Sequence, residues 1–228
     1  MTILLTKETR EFSRRKFLIS SVAGSTALAI SIGDTLAAGK QVVNLLDEGS
    51  PLMIPPNFVP SIWFTMESNG ATTIHVLKAE IGQHIGTTFA QIVAEELELD
   101  WESVRVDYPE MNATNQDKYG IQMTGGSYST NEMFDRLARS AAVARGLLIE
   151  VGAELLGSDI NDCKARKGKV IDSVMNAEIS YSEILSETAI SHTVEEDDLA
   201  SVKLKNRQDY EIIGKSLASL DSPEKVNG

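Results

Sequence analysis

Two short stretches place glycine, hydroxyl and amide residues at the start of a predicted helix. They are Gly82-Gln83-His84-Ile85-Gly86-Thr87-Thr88 and Thr124-Gly125-Gly126-Ser127-Tyr128-Ser129-Thr130. Glycine leaves backbone amides bare, and a helix N-terminus points several such donors outward with a partial positive charge. Together these features make a cradle for an anion, phosphate above all. Gln83 adds an amide that both donates and accepts, while Ser127 and Ser129 add hydroxyl donors. Thr88 with Gln91, and Ser129 with Glu132, have the form of a capping box. The same residues also fit two well-capped helices with glycine turns that bind nothing. Neither stretch contains G-x-x-x-x-G-K or G-x-G-x-x-G, which excludes the P-loop and dinucleotide fingerprints.

The elements that would position these loops follow from periodicity. Ile62 to Glu67 and Thr72 to Ala79 read as two strands of a hairpin with Asn69-Gly70 at its tip. Phe89, Ile92, Val93 and Leu97 mark an amphipathic helix from about Thr87 to Leu99. On it Glu95 and Glu96 lie about 100° apart and are expected to face solvent, with no catalytic role. Val104, Val106 and Tyr108 alternate as a third strand, and a polar loop runs from Pro109 to Gly126. Met133, Leu137, Ala141, Ala144, Leu148, Val151 and Leu155 then trace one stripe of a long helix over Thr130 to Leu156. Its middle is small (Ser140, Ala141, Ala142, Ala144, Gly146), which suits close packing. Beyond Gly157 the pattern weakens into short pieces around Cys163 to Ile171 and Tyr181 to Ala189. The acidic run Glu195-Glu196-Asp197-Asp198 reads as a solvated loop rather than a calcium site. The fold class expected is α+β: a small mixed sheet with two main helices on one face, plus an irregular C-terminal segment.

The N-terminus carries a compartment signal. Ser13-Arg14-Arg15-Lys16-Phe17-Leu18 precedes an uncharged run from Ile19 to Gly33, with Ala37-Ala38 at a plausible cleavage point. That is the layout of a twin-arginine export signal, which implies a periplasmic or envelope location. The run is 15 residues long and rich in serine, too short and too polar for a span of roughly 20 apolar residues. Prolines 51, 55, 56 and 60 mark an extended linker. The expected organisation is a signal over 1–38, a linker over 39–60, an α+β domain over 61–160 and an extension over 161–228.

Residues 39–228 hold 16 basic against 30 acidic side chains, a formal charge of −14. A nucleic-acid partner is excluded on that balance. Cys163 is the one cysteine, so neither an internal disulfide nor a cysteine-ligated iron–sulfur cluster is possible within the chain. His75, His84 and His192 lack metal-ligand spacing, and no metal ligands are assigned.

Taken in order, Lys78 to Gln83 (KAEIGQ), Ala90 to Leu97 (AQIVAEEL), Trp101 to Val106 (WESVRV) and Thr124 to Thr130 (TGGSYST) resemble the large subunit of molybdenum hydroxylases. The resemblance is to the molybdopterin-binding subunit of the xanthine dehydrogenase/aldehyde oxidase family, nearest the beta subunit of isoquinoline 1-oxidoreductase and its aldehyde-dehydrogenase relatives. Tyr210 to Lys215 (YEIIGK) and Leu220 to Gly228 (LDSPEKVNG) extend it to the last residue. It implies contacts to molybdopterin cytosine dinucleotide from Gly82, Gln83, Gly126, Ser127, Tyr128 and Ser129. Tyr128 is equally suited to filling the core beside its loop. The resemblance also implies iron–sulfur clusters in a small partner subunit only, and a downstream domain supplying the catalytic glutamate. No residue of this chain matches that glutamate. The implied activity is oxidative hydroxylation of an aldehyde or N-heterocycle by the complete assembly. The alternatives are a non-catalytic exported interaction module or a truncated gene product. Relatives usually have glycine where this chain has His84.

Overall fold

The computed structural model describes residues 18–19, 27–32, 63–112, 122–187, 190–194 and 196–227. The linker expected over 39–60 lies outside them, as does most of the expected signal. The elements in chain order are β1 (Leu18–Ile19), β2 (Ala27–Ile32), β3 (Phe64–Glu67), β4 (Thr72–His75), α1 (Ile85–Leu97) and β5 (Val104–Asp107). They are followed by α2 (Ser129–Leu156), β6 (Cys163–Arg166), β7 (Lys169–Asp172), β8 (Ala177–Ser180), α3 (Tyr181–Glu187), β9 (Ile190–Val194), α4 (Glu196–Ser201) and α5 (Ser222–Val226).

The α+β class expected from the sequence is the one observed. The main sheet is mixed and six-stranded, in the order β1-β9-β2-β3-β4-β5. The predicted hairpin joins β3 to β4, with Met66 opposite Thr72 and Phe64 opposite Ile74. Asn69 closes it by accepting the Ala71 amide on its side chain at 2.8 Å, and Gly70 takes φ +87°, where a side chain would be strained. The parallel pairing of β4 with β5 requires a crossover, and α1 supplies it.

One core cluster runs from this sheet through α1 to α2. Phe64, Met66, Ile74 and Val104 from the sheet meet Phe89, Val93 and Leu97 of α1 and Leu137, Ala141 and Leu148 of α2, all fully buried. α1 packs on β4, β5 and α2, so it is enclosed on more than one side. That enclosure overturns the expectation for Glu95 and Glu96, which are each only 1 % exposed.

The C-terminal region is more ordered than its sequence suggested. β6, β7 and β8 form a three-stranded antiparallel sheet, with Ala165 opposite Val170 and Val170 opposite Ile179. Its strands are four residues each, too short for periodicity to register, and its turns use Lys167-Gly168 and Asn176 at positive φ. α2 lies against this sheet at Gly152, where an added Cβ would fall 2.7 Å from Val170 Cγ2 and 3.0 Å from Ile184 Cδ1.

Candidate functional site

The Gly82-Gln83 loop is braced by its own polar groups. Gln83 Oε1 accepts the Ile81 amide at 2.7 Å, and Nε2 donates to the Ala79 carbonyl at 3.0 Å. Glu80 folds back on the start of α1. Its Oε1 accepts from the amides of Gly82 (2.6 Å) and His84 (3.1 Å), and its Oε2 from Ile85 (2.9 Å). Burial raises the carboxyl pKa, but these amides and the Lys225 charge prevail and hold it below the ordinary value. The helix N-terminus thus already holds an anion, supplied by the chain itself. The capping box expected from Thr88 and Gln91 is absent. α1 begins earlier, at Ile85, with His84 as its cap at φ 58° and ψ 40°. Thr88 Oγ1 instead donates to the His84 carbonyl at 3.2 Å.

The second loop lies directly beside the first. Thr124 Oγ1 donates to the Ala79 carbonyl at 2.7 Å, the acceptor that Gln83 also uses. Lys78 Nζ bonds Glu132 of α2 at 2.7 Å, both side chains being largely buried. Glu132 is therefore spent on an ion pair between loop and helix, and the Ser129–Glu132 capping box does not form. Tyr128 is the N-cap residue of α2 and makes no side-chain capping bond. Gly126 and Ser127 both take φ 60°, a turn closed by the Tyr128 amide on the Gly125 carbonyl at 3.3 Å. A Cβ at Gly126 would stand 3.3 Å from the Tyr128 ring. Gly126 and Ser127 are exposed, whereas Tyr128 and Ser129 are half-buried.

All six residues singled out from the sequence thus lie on two adjoining loops tied through one carbonyl. The two differ in their capacity for an anion. Three amides of the first loop, those of Gly82, His84 and Ile85, are taken by Glu80, so the chain's own carboxylate stands where the composition suggested an external anion. The second has a turn of two left-handed residues and a helix start without a side-chain cap, and its donor set fits an anionic group. No ligand-forming cluster of three or more histidine, cysteine, aspartate or glutamate residues occurs among the described residues.

A third component was missed from the sequence. The C-terminal tail docks against the start of α1. His84 Nδ1 lies 2.9 Å from Ser219 Oγ, and the Leu220 amide donates to Thr87 Oγ1 at 3.0 Å. Asp221, only 7 % exposed, accepts from Tyr108 OH (3.0 Å), Ser219 Oγ (2.6 Å) and Lys225 Nζ (2.5 Å). Burial pushes the Asp221 carboxyl up, but Lys225 and the two hydroxyls outweigh it and hold it at about 2. Burial, then the anions Asp221 and Glu80, push the Tyr108 phenol well above its usual range. Further along α1, Glu95 accepts the consecutive amides of Glu211, Ile212 and Ile213 at 3.1, 2.7 and 2.9 Å, and Lys205 Nζ at 2.5 Å. Glu96 accepts the Lys205 amide and Arg145 Nη1. Two adjacent carboxylates on an otherwise apolar helix were the available signal for this clasp.

The chain belongs to a known family. The family model described as "Molybdopterin cofactor-binding domain" matches residues 25–224. The resemblance read from the loop motifs, to the large subunit of the xanthine dehydrogenase/aldehyde oxidase family, therefore stands. Among similar proteins, the membrane-bound aldehyde dehydrogenase (pyrroloquinoline-quinone) of Gluconacetobacter polyoxogenes is 32% identical over 97% of this chain and 27% of its own length. The beta subunit of isoquinoline 1-oxidoreductase of Brevundimonas diminuta is 27% identical over 97% of this chain and 31% of its own length. A nicotinate dehydrogenase subunit of Pseudomonas putida is 30% identical over 65% of this chain and 12% of its own length. The chain spans less than a third of each of these relatives. No helix among the described residues is long and apolar enough to cross a membrane.

Proposed function

We propose that this chain is the N-terminal portion of a molybdenum hydroxylase large subunit and contributes contacts to molybdopterin cytosine dinucleotide. Gly126, Ser127, Tyr128 and Ser129 bind the cofactor's anionic part through backbone amides and hydroxyls. Gln83 shares the Ala79 carbonyl with Thr124 of the second loop and presents its remaining amide hydrogen at the rim, while Gly82 gives its amide to Glu80 and lets the first loop turn. When bound, the cofactor supplies a two-electron redox centre for oxidative hydroxylation of an aldehyde or N-heterocycle. The further large-subunit domains and a small iron–sulfur subunit supply the catalytic glutamate and the electron route. Export follows the twin-arginine route, to the periplasm or envelope.

The observation that carries this reading is the meeting of both loops at the Ala79 carbonyl, beside the uncapped start of α2. Native mass spectrometry with metal analysis, on protein purified from its own host's envelope fraction, tests it. The expected result is a larger complex containing this chain and molybdenum, with the metal reduced by Gly126→Val. A lone chain without molybdenum overturns it.

A second reading, a non-catalytic exported interaction module, is favoured by two observations. Glu80 fills the first helix terminus, and the imidazole of His84 stands in a left-handed position suited to glycine. On that reading the larger complex forms but holds no molybdenum.

A further inference from the structure

The apolar run read as the core of an export signal contains β2, and β2 is an interior strand. Five consecutive residues pair in parallel with β9, from Leu28 opposite Ile190 to Ile32 opposite Val194. On its other side, Ala27, Leu28 and Ala29 pair antiparallel with Glu67, Met66 and Thr65 of β3. β1, at the sheet edge, pairs with β9. Cleavage after Ala38 would remove β1 and β2 together. β9 would then lose both of its neighbours in the strand order, and β3 would become an edge with a row of unpaired amides and carbonyls.

The sequence of this run suits a strand. Ala27-Leu28-Ala29-Ile30-Ser31-Ile32 has a large apolar residue at every second position, the period of a half-buried strand rather than of a helix. The family match begins at residue 25, two residues before β2, and so includes the strand in the domain.

We propose that residues 27–32 are a permanent strand of the mature domain. The chain is then not cleaved at Ala37-Ala38, and the Ser13-to-Leu18 motif remains covalently attached to the folded protein. The strand assignment is independent of the export reading; only the statement about processing rests on it.

Two measurements test this. The first is the intact mass and N-terminal peptide of the protein from envelope and cytosolic fractions of its host. A chain that still carries Ser13 to Leu18 is the expected result, and one that begins after Ser13 overturns the proposal. Protein confined to the cytosol sinks the export reading instead, and the second measurement then decides. Hydrogen exchange on the full chain should show residues 27–32 protected together with 190–194. Ile30→Pro removes an amide from β2 and should abolish protection in both segments. Rapid exchange of 27–32 in the unaltered chain, or undiminished protection of 190–194 in the variant, overturns the proposal.

Discussion

At the residue scale, the carboxylates of α1 behave as structural anions, and their contexts separate them. Glu95 satisfies three consecutive amides and an ammonium, four donors that a neutral amide cannot all serve. Removing its charge leaves Lys205 its bond to Glu98 at 2.8 Å, but turns an NH2 group toward donors that the carboxylate accepts. Glu95→Gln is therefore expected to destabilise the chain by about 3 kcal/mol. Glu96→Gln should cost only about 1 kcal/mol, because Arg145 keeps the Glu96 carbonyl and the Lys203 carbonyl as acceptors. Burial, the dominant influence, also raises the Glu96 pKa, so its charge is held at a disadvantage. Denaturant melts of the two variants at neutral pH provide the comparison, and equal losses would contradict it. Acid should act differently again. Asp221 is held at about 2 against an ordinary value near 3.9. A depressed acid stabilises the fold fully above its unfolded pKa and loses that contribution as pH falls through its folded value. Tail docking should therefore persist at pH 5 and fail between roughly pH 4 and pH 2. Protection of the Leu220 amide against pH, compared with Asp221→Asn, reads this out. The two adjoining loops were legible in the sequence because glycine and hydroxyl residues cluster visibly in each. Glu80 was not, because its role depends on a reversal of the chain that places a carboxylate over amides two to five residues ahead.

At the element scale, periodicity located α1 and α2 to within two residues at each end. The start of α1 was misplaced because His84 adopts a left-handed conformation, a choice that residue type does not announce. The three-stranded sheet was overlooked for a different reason. Four-residue strands carry too few alternations to stand out, and their burial comes from contact with α2 rather than from their own composition. That contact is testable. Gly152 sits where a Cβ would meet Val170 at 2.7 and 2.9 Å, so the close approach of helix and sheet depends on a missing side chain. Gly152→Ala is expected to destabilise by about 1–3 kcal/mol despite improved helix propensity. Val170→Ala should recover part of that loss when combined with it, giving a non-additive cycle. Additive effects in thermal melts would mean that the two elements do not press on each other there.

At the scale of the whole molecule, charge and apolar surface pull in opposite directions. A net charge of −12 favours solubility. Yet Ile81, Met111 and Val174 are 73%, 65% and 71% exposed, and Ile81 stands on the first candidate loop itself. Large apolar side chains at such exposure favour association when their partner surface is lacking. The isolated chain is expected to self-associate, with a molar mass in sedimentation equilibrium that rises with concentration. A monomer at all concentrations, with a sharp melt, would count against this. The domain family was legible because short motifs, from Lys78-Ala79-Glu80 to the C-terminal segments, occur in order along the chain. The pairing of β2 with both β9 and β3 was not, since strand partners far apart in sequence leave no local trace.

The Ala79 carbonyl joins the two candidate loops, and it belongs to the backbone. Every amino acid that can stand at position 79 carries the same oxygen, so substitution there cannot delete the acceptor. Heritable change can reach this junction only through its donors, Thr124 on one side and Gln83 on the other. The other positions of each loop can therefore vary in composition, while Thr124 and Gln83 are the two at which a substitution undoes the junction.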